Sequence, residues 1–134
     1  MRKPLHGLHV VLLAGTIPLF LTALLADIAY CVSYEMQWKN FSSWLLVGGL
    51  LFCGLTLLWA LIERIRFGWR EPRGIVMFCL LLAAWILGFI NELMHARDAW
   101  GSMPGAVVLS AIVAVLVVAA TWAGLCRSFP GERP

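Results

Sequence analysis

Charge is what this chain has least of. Only 13% of its 134 residues are Asp, Glu, Lys or Arg, about half the share usual in soluble domains. Catalytic signatures are missing as well. There is no H-E-x-x-H, no G-x-S-x-G and no phosphate-binding glycine loop, so nothing marks a zinc protease, an α/β hydrolase or a nucleotide enzyme. The four cysteines (Cys31, Cys53, Cys79, Cys126) lack any C-x-x-C spacing. They fall in four different apolar runs and read as small packing residues rather than as a metal cluster. Basic residues are not interleaved with aromatic ones, so no nucleic-acid role is expected. Nor is there a polar stretch long enough for a soluble domain, the longest connection between apolar runs being about nine residues.

What fills the chain instead is hydrocarbon. Hydrophobic residues make up 62% of it and the mean hydropathy is +0.90, well beyond the roughly 45 to 50% apolar content of ordinary domains. Four runs are long enough to span, since about 20 residues at 1.5 Å each cross a hydrocarbon core of about 30 Å. They lie at about 8–33, 41–65, 74–94 and 104–126. The expected fold is therefore an all-α integral-membrane four-helix bundle, one transmembrane domain over residues 1–134. Arg2 and Lys3 ahead of the first run could open a signal peptide. That run is longer than a signal core of about 7 to 15 residues, carries Asp27 and ends in aromatic residues, so it is expected to stay attached.

Lys and Arg near span ends favour the cytoplasmic side. Arg2, Lys3, Arg64, Arg66, Arg70, Arg73, Arg127 and Arg133 would share one side, against Lys39 and Arg97 on the other. Both termini are expected in the cytoplasm, and the net charge of +3 reflects this asymmetry and attraction to anionic headgroups. The aromatic stretch Tyr34 to Trp44 reads as the outer connection and an interfacial belt, with Asn40 or Ser42 capping the second helix. Gly49, Cys53, Thr56 and Ala60 form a small-residue face that permits close helix approach. Ala84 and Gly88, then Ala106, Ser110 and Ala114, then Ala120 and Gly124, repeat the device. Pro18 removes one backbone bond inside the first helix and is expected to kink it. Pro72 and Pro104 suit helix starts.

The chemistry-bearing residues are few. At about 100° per residue, His9, Thr16, Phe20 and Asp27 share one stripe of the first helix, with His6 about 60° away. A lipid-facing carboxylate costs on the order of 2.5 to 3.5 kcal/mol at a helix centre, so the stripe should face protein. At the same depth as Asp27 the third helix ends in Asn91, Glu92 and His95, with Asp98 beyond. This set is the candidate polar site, able to hydrogen-bond a quinone or relay a proton. The favoured reading is structural: Asp27 hydrogen-bonds or ion-pairs with a neighbouring helix, and Glu92, His95, Arg97 and Asp98 form a solvated loop edge. Glu92 and His95 form one E-x-x-H pair, whereas di-iron bundles need two and further carboxylates. His6 and His9 make a weaker candidate for haem or metal, with Met77 a conceivable second axial ligand; a place among lipid headgroups is the alternative. His95 lies roughly 25 to 30 Å from them by helix rise, so one haem iron cannot join the two groups.

The segments His6-Gly-Leu-His9, Gly15-Thr-Ile-Pro18, Asp27-Ile-Ala-Tyr30, Gln37-Trp38 to Trp44, and Gly48-Gly49 carry a resemblance. Over nearly its whole length the chain resembles the bacterial four-helix membrane proteins grouped as the domain of unknown function 2231 family. The resemblance implies a small multi-pass protein of the bacterial inner (cytoplasmic) membrane, and some relatives look associated with respiratory or oxidoreductase partners. It departs from the family's commoner first helix, in which two histidines four residues apart flank a proline, since Gly7 stands where the proline would. Only Asp27 and one of His6 and His9 carry over.

Two functional readings follow. The favoured one is a structural or anchoring subunit, not an enzyme, embedded in the lipid bilayer as a homo-oligomer or within a larger membrane complex. The other is a small-molecule module handling quinone, haem or protons through the polar cluster; the sequence names no cofactor. The orientation is directly testable. In spheroplasts, a membrane-impermeant thiol reagent should reach Cys31 far more readily than Cys126, and external labelling of Cys126 would reverse the topology.

Overall fold

The computed structural model describes residues 7–97 and 105–128, the side chains of 125–128 excepted. His6, Asp98, Pro104 and Arg133 lie outside the described residues, and so does the side chain of Cys126. Four helices follow one another: α1 Gly7–Ser33, α2 Met36–Phe67, α3 Pro72–His95 and α4 Gly105–Ser128. All four are long and apolar enough to cross a membrane. Helix α1 packs on α2 and α4, and α3 packs on the same two, so α1 and α3 lie on one diagonal of the bundle.

The inward seams are heptad seams. Buried positions on α2 run Lys39, Ser42, Leu46, Gly49, Cys53, Thr56, Ala60 and Arg64, and on α3 Gly74, Met77, Leu81, Ala84, Gly88, Asn91 and His95. Apart from the last step of α2, which repeats four, steps alternate three and four, the 3.5-residue period at which helices wrap around one another in a left-handed bundle. The α1 seam passes through His9, Leu13, Thr16, Phe20, Ala23, Asp27 and Tyr30. On α4 it passes through Ala106, Ser110, Val113, Val117 and Ala120. Most seam residues are small or polar, while Leu25, Leu51, Ile65, Leu93, Val115 and Trp122 point outward and are exposed. Such a distribution suits hydrocarbon solvent, where close backbone approach rather than apolar burial joins helices.

Phe20 is the central wedge. A Cβ added at Gly49 would lie 3.0 to 3.2 Å from its ring, and one at Gly88 would lie 3.5 Å from it. The two glycines thus make room for a single aromatic ring between α1, α2 and α3.

Helix α2 begins at Met36 rather than near Phe41, which corrects the expected outer connection. No glycine or proline interrupts residues 34–44, so the helix continues outward until Tyr34 turns the chain in a left-handed conformation at φ 60°. The Tyr34 N–H donates to Tyr30 O at 2.9 Å, closing α1 by the C-terminal αL pattern. Glu35, extended, is the N-cap of α2. Asn40 and Ser42 therefore do not cap: Ser42 is buried in the seam, while Trp38, Phe41 and Trp44 face outward from the same turns. At the other end Gly68, with φ 86°, closes α2 through an N–H bond to Arg64 O, and Pro72 is the first residue of α3. Helix α1 continues through Pro18. Of the described cysteines only Cys53 packs in the core; Cys31 is half-buried and Cys79 exposed. The small-residue faces of α2 and α4 are consumed inside the bundle rather than left for assembly.

Gly49→Leu should therefore lower thermal stability in detergent by about 1 to 3 kcal/mol, the usual cost of overpacking. Leu51→Ala, at a position 62% exposed, should cost less than about 1 kcal/mol. Equal melting of the two variants would place Gly49 outside the close contact.

Candidate functional site: a polar network from four helices

Asp27 and His95 are both fully enclosed, and Asp27 Oδ1 lies 2.7 Å from His95 Nε2 across the α1–α3 diagonal. Position explains the meeting. Asp27 is six residues before the end of α1 and His95 is the last residue of α3, so both lie toward the same end of the bundle, and the imidazole leans back along its helix to meet the carboxyl group. The other ring nitrogen, Nδ1, is 2.9 Å from Asn91 O. A carbonyl only accepts, so Nδ1 carries a hydrogen.

The remaining helices complete the set. Asn91 Nδ2 donates to Ser110 Oγ of α4 at 2.7 Å, and the Ser110 hydroxyl donates in turn to Asp27 Oδ2. From α2, the Ser42 hydroxyl donates to Ala23 O at 3.1 Å and turns its lone pair toward His95 Nε2 at 3.3 Å. Asp27, Ser42, Asn91 with His95, and Ser110 thus bring one helix each into a closed hydrogen-bonded ring. Nδ1 carries one hydrogen for Asn91 O, and the short line between Nε2 and Asp27 Oδ1 holds a second.

Around this core, Glu92 takes the hydroxyl of Ser43 on α2 and is half-buried. Lys39 is buried at the start of α2, and its ammonium donates to Arg97 O at 2.6 Å. A cation is thereby placed against the carbonyls that follow the C-terminal end of α3, where helix dipoles favour it. Asn91 Oδ1 and Glu92 Oε2 are buried acceptors with no donor among the described residues.

The geometry separates several chemistries. A nucleophile–histidine–carboxylate relay needs serine and carboxylate on opposite ring nitrogens. Here Ser42 and Asp27 both face Nε2, while Nδ1 is held by its own helix. Glu92 and His95 diverge toward different helices, and among the described residues no group of three His, Cys, Asp or Glu could hold a metal ion.

Of the residues singled out from sequence, Asp27, Asn91 and His95 come together, with Glu92 one step away through Ser43. His9 does not join them. It is 18 residues from Asp27 on one helix, about 27 Å by rise. There it is fully buried, its ring 6.1 Å from that of Trp59. Met77 is buried in the core. Ser42, Ser110, Ser43 and Lys39 were not foreseen as network members. Their signal was a hydroxyl or ammonium in register with Asp27 on a small-residue face.

Removing one partner of a buried charged pair typically costs about 3 to 5 kcal/mol, because the other charge is left unmatched. His95→Ala should therefore destabilise the detergent-solubilised bundle by that order. Ser110→Ala, which removes one hydrogen bond, should cost about 1 to 3 kcal/mol. If thermal melts of both variants match the unsubstituted protein, the ring does not hold the helices together.

Comparison with known proteins adds the family. No curated protein and no solved structure matches this chain. The family described as "Predicted membrane protein (DUF2231)" matches residues 4–129, a span that takes in all four helices and every member of the ring. The chain accordingly belongs to the DUF2231 family of membrane proteins.

Proposed function

We propose that this protein is a structural or anchoring subunit of a membrane complex in the bacterial inner membrane, with both termini in the cytoplasm, and that it is not itself an enzyme. One observation carries the reading. The intramembrane carboxylate is engaged on both oxygens by donors from two other helices, so the polar groups of the site are used to join helices.

The perimeter supplies the assembly surface. Because the small faces of α2 and α4 are spent internally, the contact surface is an apolar groove of about 560 Å³ between α1 and α4. It is lined by Leu21, Leu24, Ala111, Ala119 and Trp122 among others. Its alanines allow a neighbouring transmembrane helix to come close. Orientation rests on the basic-residue asymmetry, with Arg64, Arg66, Arg70 and Arg73 around the α2–α3 connection.

Extraction in a mild detergent tests the proposal. The protein mass by light scattering should exceed that of one 14.9 kDa chain. Ala111→Trp, which fills the groove, should reduce it to one chain while leaving the melting midpoint within about 3 °C. A particle of one chain carrying a chromophore or an extractable quinone would instead favour the small-molecule reading.

A further inference from the structure

We propose that the bundle binds one exchangeable proton between Asp27 Oδ1 and His95 Nε2, and that release of this proton unlatches α1 from α3 at the end of the bundle carrying the α1–α2 connection.

The hydrogen-bond directions around the pair leave room for one proton and no more. Asn91 Nδ2 donates to Ser110 Oγ, so the Ser110 hydrogen is free to point at Asp27 Oδ2. Nδ1 of His95 is committed to Asn91 O. Only the 2.7 Å line between Nε2 and Oδ1 remains, and it is an attraction only while a hydrogen lies on it. With the proton present, an imidazolium meets a carboxylate. When the proton leaves Nε2 for water, a neutral imidazole and a carboxylate remain, two lone pairs facing each other in an enclosed site. The bridge that spans the diagonal is then lost, and a carboxylate matched only by the Ser110 hydroxyl is left within the spanning part of the bundle, a costly state. A second proton, on Oδ1, would instead set two hydrogens against each other.

The surroundings are rich in acceptors. Asn91 Oδ1 and Glu92 Oε2 have no donor among the described residues, and Ser42 presents a lone pair to the same Nε2. Other ionisable groups near the pair are Tyr30 on α1, Lys39 on α2 and Glu92 on α3; the described part of α4 carries none. Lys39 and Glu92 are held elsewhere, by Arg97 O and Ser43. This proposal does not depend on the anchoring role, since a solitary bundle would show it equally.

Asp27→Asn is the discriminating variant. Its amide can donate to a neutral His95 Nε2 and still accept from Ser110, so the ring persists with a hydrogen that does not dissociate. Melting midpoints of the full chain in detergent are measured from about pH 6 to about pH 9.5. The unsubstituted protein should lose about 5 °C or more toward the alkaline side, and Asp27→Asn less than about 2 °C. Lys39→Gln and Glu92→Gln should each retain the alkaline loss. Histidine-selective nitrogen-15 NMR, with His95→Gln to assign the signal, should show both ring nitrogens of His95 protonated at neutral pH and one of them losing its hydrogen over the same range. A flat profile in the unsubstituted protein, an alkaline loss that survives in Asp27→Asn, or a His95 ring carrying a single hydrogen at neutral pH would each overturn the proposal. Should Asp27→Asn fail to fold, the NMR titration of the unsubstituted protein decides alone.

Discussion

A carboxylate placed in hydrocarbon has to be matched by protein, and this requirement shapes the bundle. Asp27 lies about 9 Å inside the end of α1, too deep for its short side chain to reach the headgroups as a lysine could. Matching it takes an imidazole from the opposite helix, a hydroxyl from α4 that is itself oriented by Asn91, and a hydroxyl from α2 that shares the imidazole. Each of these groups would be a liability alone, because a buried polar group without a partner costs more than a formed hydrogen bond contributes. Together they specify which helix faces which and at what height, since a slip of one helix by one turn, about 5.4 Å, would break every link it makes in the ring.

The rest of the interior follows from having lipid outside. In water, large apolar residues would fill the seam and small or polar ones would lie outside; here the order is inverted. Apolar packing across the seam rests on a few large residues, Leu13, Phe20, Leu46, Met77 and Leu81, set among glycine, alanine, serine and threonine. Hydroxyls away from the ring are made harmless locally: Thr16, Thr56 and Thr121 each donate to the carbonyl four residues back on their own helix. Gly74 performs a different service. A Cβ there would fall 1.5 Å from Arg64 Nη2, so the glycine vacates the space into which a buried guanidinium folds.

Much of this was legible in the sequence, and the reasons are specific. Four spans follow from length and hydropathy, and the inward stripe of α1 follows from the cost of exposing Asp27 to lipid. Gly49, Cys53, Thr56 and Ala60 marked the inner face of α2 because small residues are where backbones approach. The start of α2 was misread because aromatic residues at an interface look the same in a loop and in a helical turn; only the inward register of Lys39 and Ser42 tells them apart. The diagonal partner of Asp27 was narrowed to the end of α3 but not to His95, since depth alone cannot choose among Asn91, Glu92 and His95. Ser110 was hidden among alanines, where a hydroxyl reads as one more small side chain.

The polar ring and the other buried polar groups are kept apart by the middle of the bundle. Between Asp27 and Thr16 the α1 seam offers Phe20 and Ala23, and facing them are Leu46, Gly49 and Cys53 on α2, Leu81, Ala84 and Gly88 on α3, and Val113 and Val117 on α4. Phe20 closes the axis there, its ring set against Gly49 and within reach of Gly88. A proton relay needs successive groups that both donate and accept within hydrogen-bond reach. Along the described seams none bridges from Asp27 to Thr16, whose hydroxyl is turned to its own helix. The proton of the proposed latch therefore has no such hydrogen-bonded path toward the middle of the bundle. That separation fits the proposed latch, which acts at one end of the bundle, while the middle is held by the fit of Phe20 between its two glycines.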